Sequence, residues 1–122
     1  VRVDYWDTHS ADNTIAHIAL PVIQRLKDIS DSYYPFVDSE DLPNRLQLSE
    51  TEQNKDLYEQ NEDLLIERWN YVLDEIIFAL SHIADESWMD DYDFCSDEYR
   101  EVELRITNGC MLFGKYFRAL WS

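Results

Sequence analysis

The sequence predicts an all-α chain: a bundle of about three long helices, the first kinked at a proline, with two irregular acidic segments. Three observations carry this expectation. Two glycines and three prolines in 122 residues leave too little turn chemistry for a sandwich or barrel of many short strands. Apolar residues recur at steps of three and four in three separate stretches, the period of a helix with one apolar face. A content of 45% hydrophobic and 14% aromatic residues is enough to pack a core in a chain of single-domain length, so residues 1–122 are expected to form one helical domain.

The first helical signal runs from about Asn13 to Ile29, where Ile15, Ile18, Val22, Leu26 and Ile29 share a face. Asp12 or Asn13 is suited to capping its first amides. Pro21 lies inside the pattern and has no N–H for the carbonyl of His17, so a kink or break is expected there. From Ser32 to about Lys55 the period disappears, which predicts an irregular excursion or a covering loop held by Tyr33, Tyr34, Phe36 and Val37. The strongest helical pattern follows, from about Asp56 to Ala84: Leu65, Trp69, Val72, Ile76, Leu80 and Ile83 form its stripe, widened by Leu73 and Ile77. A stripe that wide needs more than one packing neighbour. The third helix, from about Asp97 to Trp121, is expected to bury Val102, Ile106, Cys110, Phe113, Phe117 and Leu120. Gly109 and Gly114 interrupt it at a cost of up to about 1 kcal/mol each relative to alanine, which suggests a close helix crossing or the approach of a ligand.

Ten basic against 26 acidic residues give a net charge of −16. Such a field repels nucleic-acid phosphates and anionic membranes, so no direct nucleic-acid or membrane binding is expected. It attracts basic proteins. Between the second and third helices, residues 85–98 hold seven acids and three aromatics without a base, either a linker pinned by Trp88 and Phe94 or an acidic recognition loop. Asp91-Tyr92-Asp93-Phe94-Cys95-Ser96 lacks the glycine that an EF-hand turn needs at its sixth place. Cys95 and Cys110 show no paired spacing and are expected to be buried free thiols in a reducing cytosol. No signal-peptide pattern or run of about 18 apolar residues is present. The start at Val1 is compatible with a processed chain. Four tryptophans, eight tyrosines and an aromatic C-terminal end point to a homo-oligomer.

Two constellations invite chemistry. Asp7, His9, Asp12 and His17 cluster near a helix start, where metal ligation or anion binding by free N–H groups is conceivable. Spacing alone does not make them converge, so neither a metal, a cofactor nor a catalytic residue is expected. On the third helix Arg105, Asn108, Lys115 and Arg118 line one side, and the second helix offers Arg68, Tyr71 and Glu75 at matching spacing. These form either interhelical ion pairs or a polar pocket whose bases neutralise phosphates while an aromatic ring stacks on a nucleobase. Glycine-rich phosphate loops, HExxH and GxSxG are absent. Glu59 and Glu62 match the first carboxylate motif of the all-α nucleoside-triphosphate pyrophosphohydrolases, but the second motif is missing near Glu75.

Three blocks carry a family resemblance: Tyr5-Trp6-Asp7-Thr8-His9-Ser10-Ala11-Asp12-Asn13-Thr14-Ile15-Ala16-His17-Ile18 with Leu20-Pro21, Arg68-Trp69-Asn70-Tyr71-Val72-Leu73-Asp74-Glu75, and Asn108-Gly109 through Leu112-Phe113-Gly114-Lys115-Tyr116 to Leu120-Trp121. Phe36-Val37-Asp38 and Glu40-Asp41-Leu42-Pro43 extend it. They resemble a family of small acidic proteins of tailed bacteriophages whose activity is uncharacterised. The resemblance implies a phage accessory protein in the host bacterial cytoplasm and, by analogy, an antagonist of host defence. The expected role is non-catalytic sequestration of a small nucleotide immune signal, with Arg68, Trp69, Tyr71, Arg105, Asn108, Lys115, Tyr116, His9 and Asp12 as ligand-binding residues. The alternative is a DNA mimic or inhibitor that binds a basic host protein; a metal-dependent nucleotide phosphodiesterase comes third.

Overall fold

A computed structural model describes residues 1–30, 33–48 and 62–121. Among these, three long helices carry the fold: α1 (Ala11–Asp28), α2 (Glu62–Ala84) and α3 (Asp97–Lys115). Short 3-10 turns join or flank them at Tyr5–Thr8, Ser39–Asp41, Asn44–Leu46, Glu86–Asp91 and Phe117–Ala119. The all-α architecture is the one expected. The part of the second helical pattern between Asp56 and Asn61, like the polar run Ser49 to Asn54, lies outside the described residues.

α2 is the hub because its apolar stripe is the widest, with Leu65, Trp69, Val72, Leu73, Ile76, Ala79 and Leu80 all buried. α1 and α3 pack on its two flanks, each antiparallel to it and therefore parallel to each other. Asn13 fixes one end of the α1–α2 contact: its side-chain amide donates to the carbonyls of Ile83 and Ala84 at 3.1 and 2.9 Å, two acceptors that a helix end leaves without partners. Neither Asp12 nor Asn13 caps α1; Ser10 is its N-cap and makes no side-chain cap bond. The far end of that contact is held by the Lys27–Asp74 ion pair at 2.5 Å and by the Ser30 hydroxyl, which donates to Asn70 Oδ1 at 2.7 Å. α1 runs unbroken through Pro21.

Two faces differ from expectation. On α1 the residues turned to α2 are Ala16 and Ile23, while Ile15, Ile18, Val22 and Ile29 are exposed. On α3 the buried residues are Tyr99, Gly109 and Leu112, with Tyr116 just beyond; Cys110 and Phe117 are exposed, as is Cys95. Both helices have apolar side chains over more than the one face that contacts α2, so periodicity identified an apolar sector but not which edge of it docks. Gly109 decides the α3 edge. A Cβ there would overlap the Glu75 carbonyl oxygen and the Ala79 Cβ, so this glycine sets the closest approach of α3 to α2. Gly114 has open space around it.

The covering segment is anchored more deeply than its sequence suggested. Val37, Leu42 and Leu46 are buried in the core, and Tyr33 stacks on Trp121 with centroids 3.9 Å apart, whereas Phe36 is about half exposed. Prolines and short 3-10 turns keep this stretch from helical periodicity, yet its apolar side chains cap the N-terminal half of α2.

Candidate binding surface

The expected site residues divide between two ends of the molecule. At one end Arg68, Trp69, Lys115 and Tyr116 gather beneath the covering segment. Arg68 is 1% exposed; its guanidinium donates to the Val37 carbonyl at 2.6 Å and to Ser39 Oγ at 3.3 Å. Lys115 Nζ lies 2.7 Å from Asp41, 2.9 Å from Asp38 and 3.0 Å from Glu40. Trp69 meets the edge of the Tyr116 ring at 5.9 Å. The Tyr116 hydroxyl donates to Asp41 Oδ2 at 2.6 Å and accepts the Asp38 backbone N–H at 3.0 Å. Burial, then the bond to Asp41, pushes the Tyr116 pKa up to about 12.

Here the two bases are answered by protein oxygens from residues 37–41, in the manner an anionic ligand would answer them. Asp38, Glu40 and Asp41 also stand close enough together to hold a metal ion. The Lys115 ammonium stands among them and supplies the positive charge a cation would bring. The signal for this cluster in the sequence was weak, because Lys115 and the three acids are more than 70 positions apart.

Arg105 belongs to a different neighbourhood. Its guanidinium makes two hydrogen bonds to the buried Glu75 carboxylate, at 2.9 and 3.0 Å, and lies 3.7 Å above the Phe78 ring. This is one of the interhelical pairs that the matching spacing of α2 and α3 allowed. Tyr71 is half-buried beneath Arg45 at 5.9 Å, and Asn108 is half-buried on α3. His9 packs on Tyr5 and Trp6 in the exposed N-terminal turn, and His17 is exposed on α1. Asp7, His9, Asp12 and His17 do not form a metal-binding group among the described residues. The nine expected ligand residues thus do not share one pocket.

The opposite end is built from residues 85–103. Trp88 anchors it: the indole N–H donates to the His82 carbonyl at 3.1 Å, and the ring stacks on Tyr99 with centroids 5.3 Å apart. Asp85 caps the 3-10 turn by accepting the Ser87 N–H at 3.0 Å, and its bonds to Ser87 lower its pKa. Cys95 has a φ of 60°, a left-handed conformation costing a non-glycine residue on the order of 1 kcal/mol. It turns the chain into α3, where Ser96 Oγ accepts the Tyr99 N–H. Phe94 is not an anchor; it is 82% exposed.

On this scaffold Asp85, Glu86, Asp90, Asp91, Asp93, Asp97, Glu98, Glu101 and Glu103 are all exposed, with Arg100 the one base between them. Tyr92, Phe94 and Met89 stand open beside them. Two cavities enter the surface. One, about 350 Å³, has Phe78, His82 and Tyr92 as walls with Glu98 and Glu101 at its edge, and Arg105 also lines it. The other, about 270 Å³, lies between Trp88, Met89 and Ile106 and carries Asp12, Glu86 and Glu103. Carboxylates beside aromatic faces suit the head and stem of a lysine or arginine side chain. No helix among the described residues is long and apolar enough to cross a membrane. No protein-family model, curated protein or solved structure matches the chain.

Proposed function

We propose that this chain is a non-catalytic binding protein whose working surface is the acidic, aromatic end formed by residues 85–103, and that its partner is a basic protein surface. One observation carries the reading: nine exposed carboxylates with a single base among them, held on a scaffold fixed by Trp88. Elsewhere among the described residues Asp38, Glu40, Asp41, Asp74 and Glu75 are paired with bases of the fold. A rigid array of unneutralised carboxylates raises the association rate of a cationic partner and penalises an anionic one. Partners that ordinarily hold nucleic-acid phosphates meet this description, and the phage resemblance gives them a setting in the host, as basic proteins of its defences. Sequestration of a nucleotide signal ranks second, because Arg68, Arg105 and Lys115 already engage protein oxygens.

The test is capture from bacterial lysate at stepped salt, with duplex DNA as competitor. Basic proteins should be retained at low salt, released as salt rises, and displaced by DNA; the triple variant Asp90→Asn/Asp91→Asn/Asp93→Asn should retain at least tenfold less. Retention of a cyclic dinucleotide that is lost in Arg105→Ala, with no basic protein captured, would instead establish the sequestering role.

A further inference from the structure

Between Asp12 and Asp28, α1 holds no acidic residue, and the stripe it turns away from α2 is apolar. Ile15, Ile18, Val22 and Ile29 stand exposed on it, Ile18 at 65% and Val22 at 62%. Pro21, Val22 and Leu26 face Phe113, Phe117 and Leu120 across an apolar cavity of about 640 Å³ between α1 and the C-terminal part of α3. Arg25 is the one charged residue among the described residues lining it, and Arg118 sits between Phe117 and Leu120. No acid among the described residues lines this cavity.

We infer that this groove is the interface between two copies of the chain, paired about a twofold axis with their α1 helices antiparallel. Area is the first argument. With reference areas on the order of 200 Å² per large apolar residue, Ile15, Ile18, Val22, Ile29 and Phe117 leave on the order of 500 Å² open, near the upper size of a patch on an ordinary monomer. Adding Pro21, Leu26, Phe113 and Leu120 brings the face toward the roughly 800 Å² per partner of a stable dimer. Charge is the second argument. No described residue lining the groove is acidic, so two chains of net charge −16 meet there without described carboxylates in opposition. Its two ends differ in balance: the first turn of α1 carries exposed Asp12, and Asp4 beyond it is paired with Arg2, whereas exposed Arg25 and Arg118 outnumber exposed Asp28 at the far end. An antiparallel twofold pairing sets the basic end of each copy toward the acidic end of the other, which is the self-complementarity a closed dimer requires. A basic partner drawn to residues 85–103 is turned away here by Arg25 and Arg118.

Sedimentation equilibrium of the whole chain tests this. At tens of micromolar the mass should be twice the 14.6 kDa of one chain. Val22→Glu and Ile18→Glu should each raise the dimer dissociation constant at least tenfold while the helical circular-dichroism signal stays unchanged, because both positions are exposed in the single chain. Arg25→Glu should weaken the dimer several-fold by setting like charges at the two ends. A chain that stays monomeric throughout this range, a dimer indifferent to Val22→Glu and Ile18→Glu, or one tightened by Arg25→Glu would overturn the inference. Monomers whose groove binds an apolar dye or an amphipathic peptide would assign it to another occupant.

Discussion

Acidic side chains do two different jobs at the two ends of this molecule. Around Lys115, Asp38, Glu40 and Asp41 converge on one ammonium, and the Asp41 side chain is 5% exposed. Across residues 85–103, nine acids point into solvent around one base. The first set latches the covering segment to α3; the second leaves its charge unspent, as a field. Residue type does not distinguish the two sets. What differs is whether a distant segment brings a base to them, and that difference separates a carboxylate that holds the fold from one free to recognise a partner.

The largest stability loss should therefore lie at the latched end. Arg68→Ala removes two charged hydrogen bonds to the covering segment and leaves a buried void, so it should cost about 3 kcal/mol or more in urea unfolding. Amide protons of residues 33–48 should exchange faster in this variant. Gly109→Ala, at the crossing that joins the two ends, should cost about 2–3 kcal/mol, since the obstacles are backbone and a Cβ that cannot rotate away.

Tyr116→Phe comes next, at about 1–2 kcal/mol, and has a distinctive pH dependence. The folded-state pKa is pushed up to about 12, first by burial and then by the bond to Asp41, above the usual tyrosine value of about 10. The stability from keeping this phenol neutral is complete below about pH 10 and is lost as pH rises toward 12, with an upper size on the order of 2 kcal/mol. Helical circular dichroism and tyrosinate absorbance should reveal that loss in the wild type and a shallower one in the phenylalanine variant. An equal alkaline loss in both would show that the latch does not depend on this hydroxyl.

Gly114→Ala should raise stability by about 0.5–1 kcal/mol, because its surroundings are open and alanine is the better helix former. The smallest stability change belongs to the acidic end. Asp90→Asn/Asp91→Asn/Asp93→Asn should move the unfolding free energy by less than about 0.5 kcal/mol, yet reduce capture of basic proteins. A large stability loss there would mean these acids support the fold as Asp38 and Asp41 do, and the contrast between the two ends would collapse.

The sequence by itself determined the helical class, the bounds of α1 to within two residues, the end of α2 and the start of α3, the unusual width of the α2 stripe and the acidic stretch after it. These are local properties: a period of 3.6, scarce turn residues and a run of like charge act within a few positions of one another. α3 itself ends at Lys115, short of the expected Trp121, and a 3-10 turn takes over beyond it. The tertiary structure alone decided which edge of α1 and α3 docks, because both helices carry more apolar surface than one contact covers. It also decided the fate of the bases. Arg68, Arg105 and Lys115 share helical spacing, but Val37, Glu75 and Asp41 claim them one by one, and two of those claims come from a covering segment with no period to read. Cys110 and Phe94 likewise looked like core and anchor by composition, whereas the Gly109 crossing and the left-handed turn at Cys95 accompany their exposure. A residue's type and spacing set what it can bond to; only the chain's long-range packing, which trades many contacts of similar energy, selects the partner.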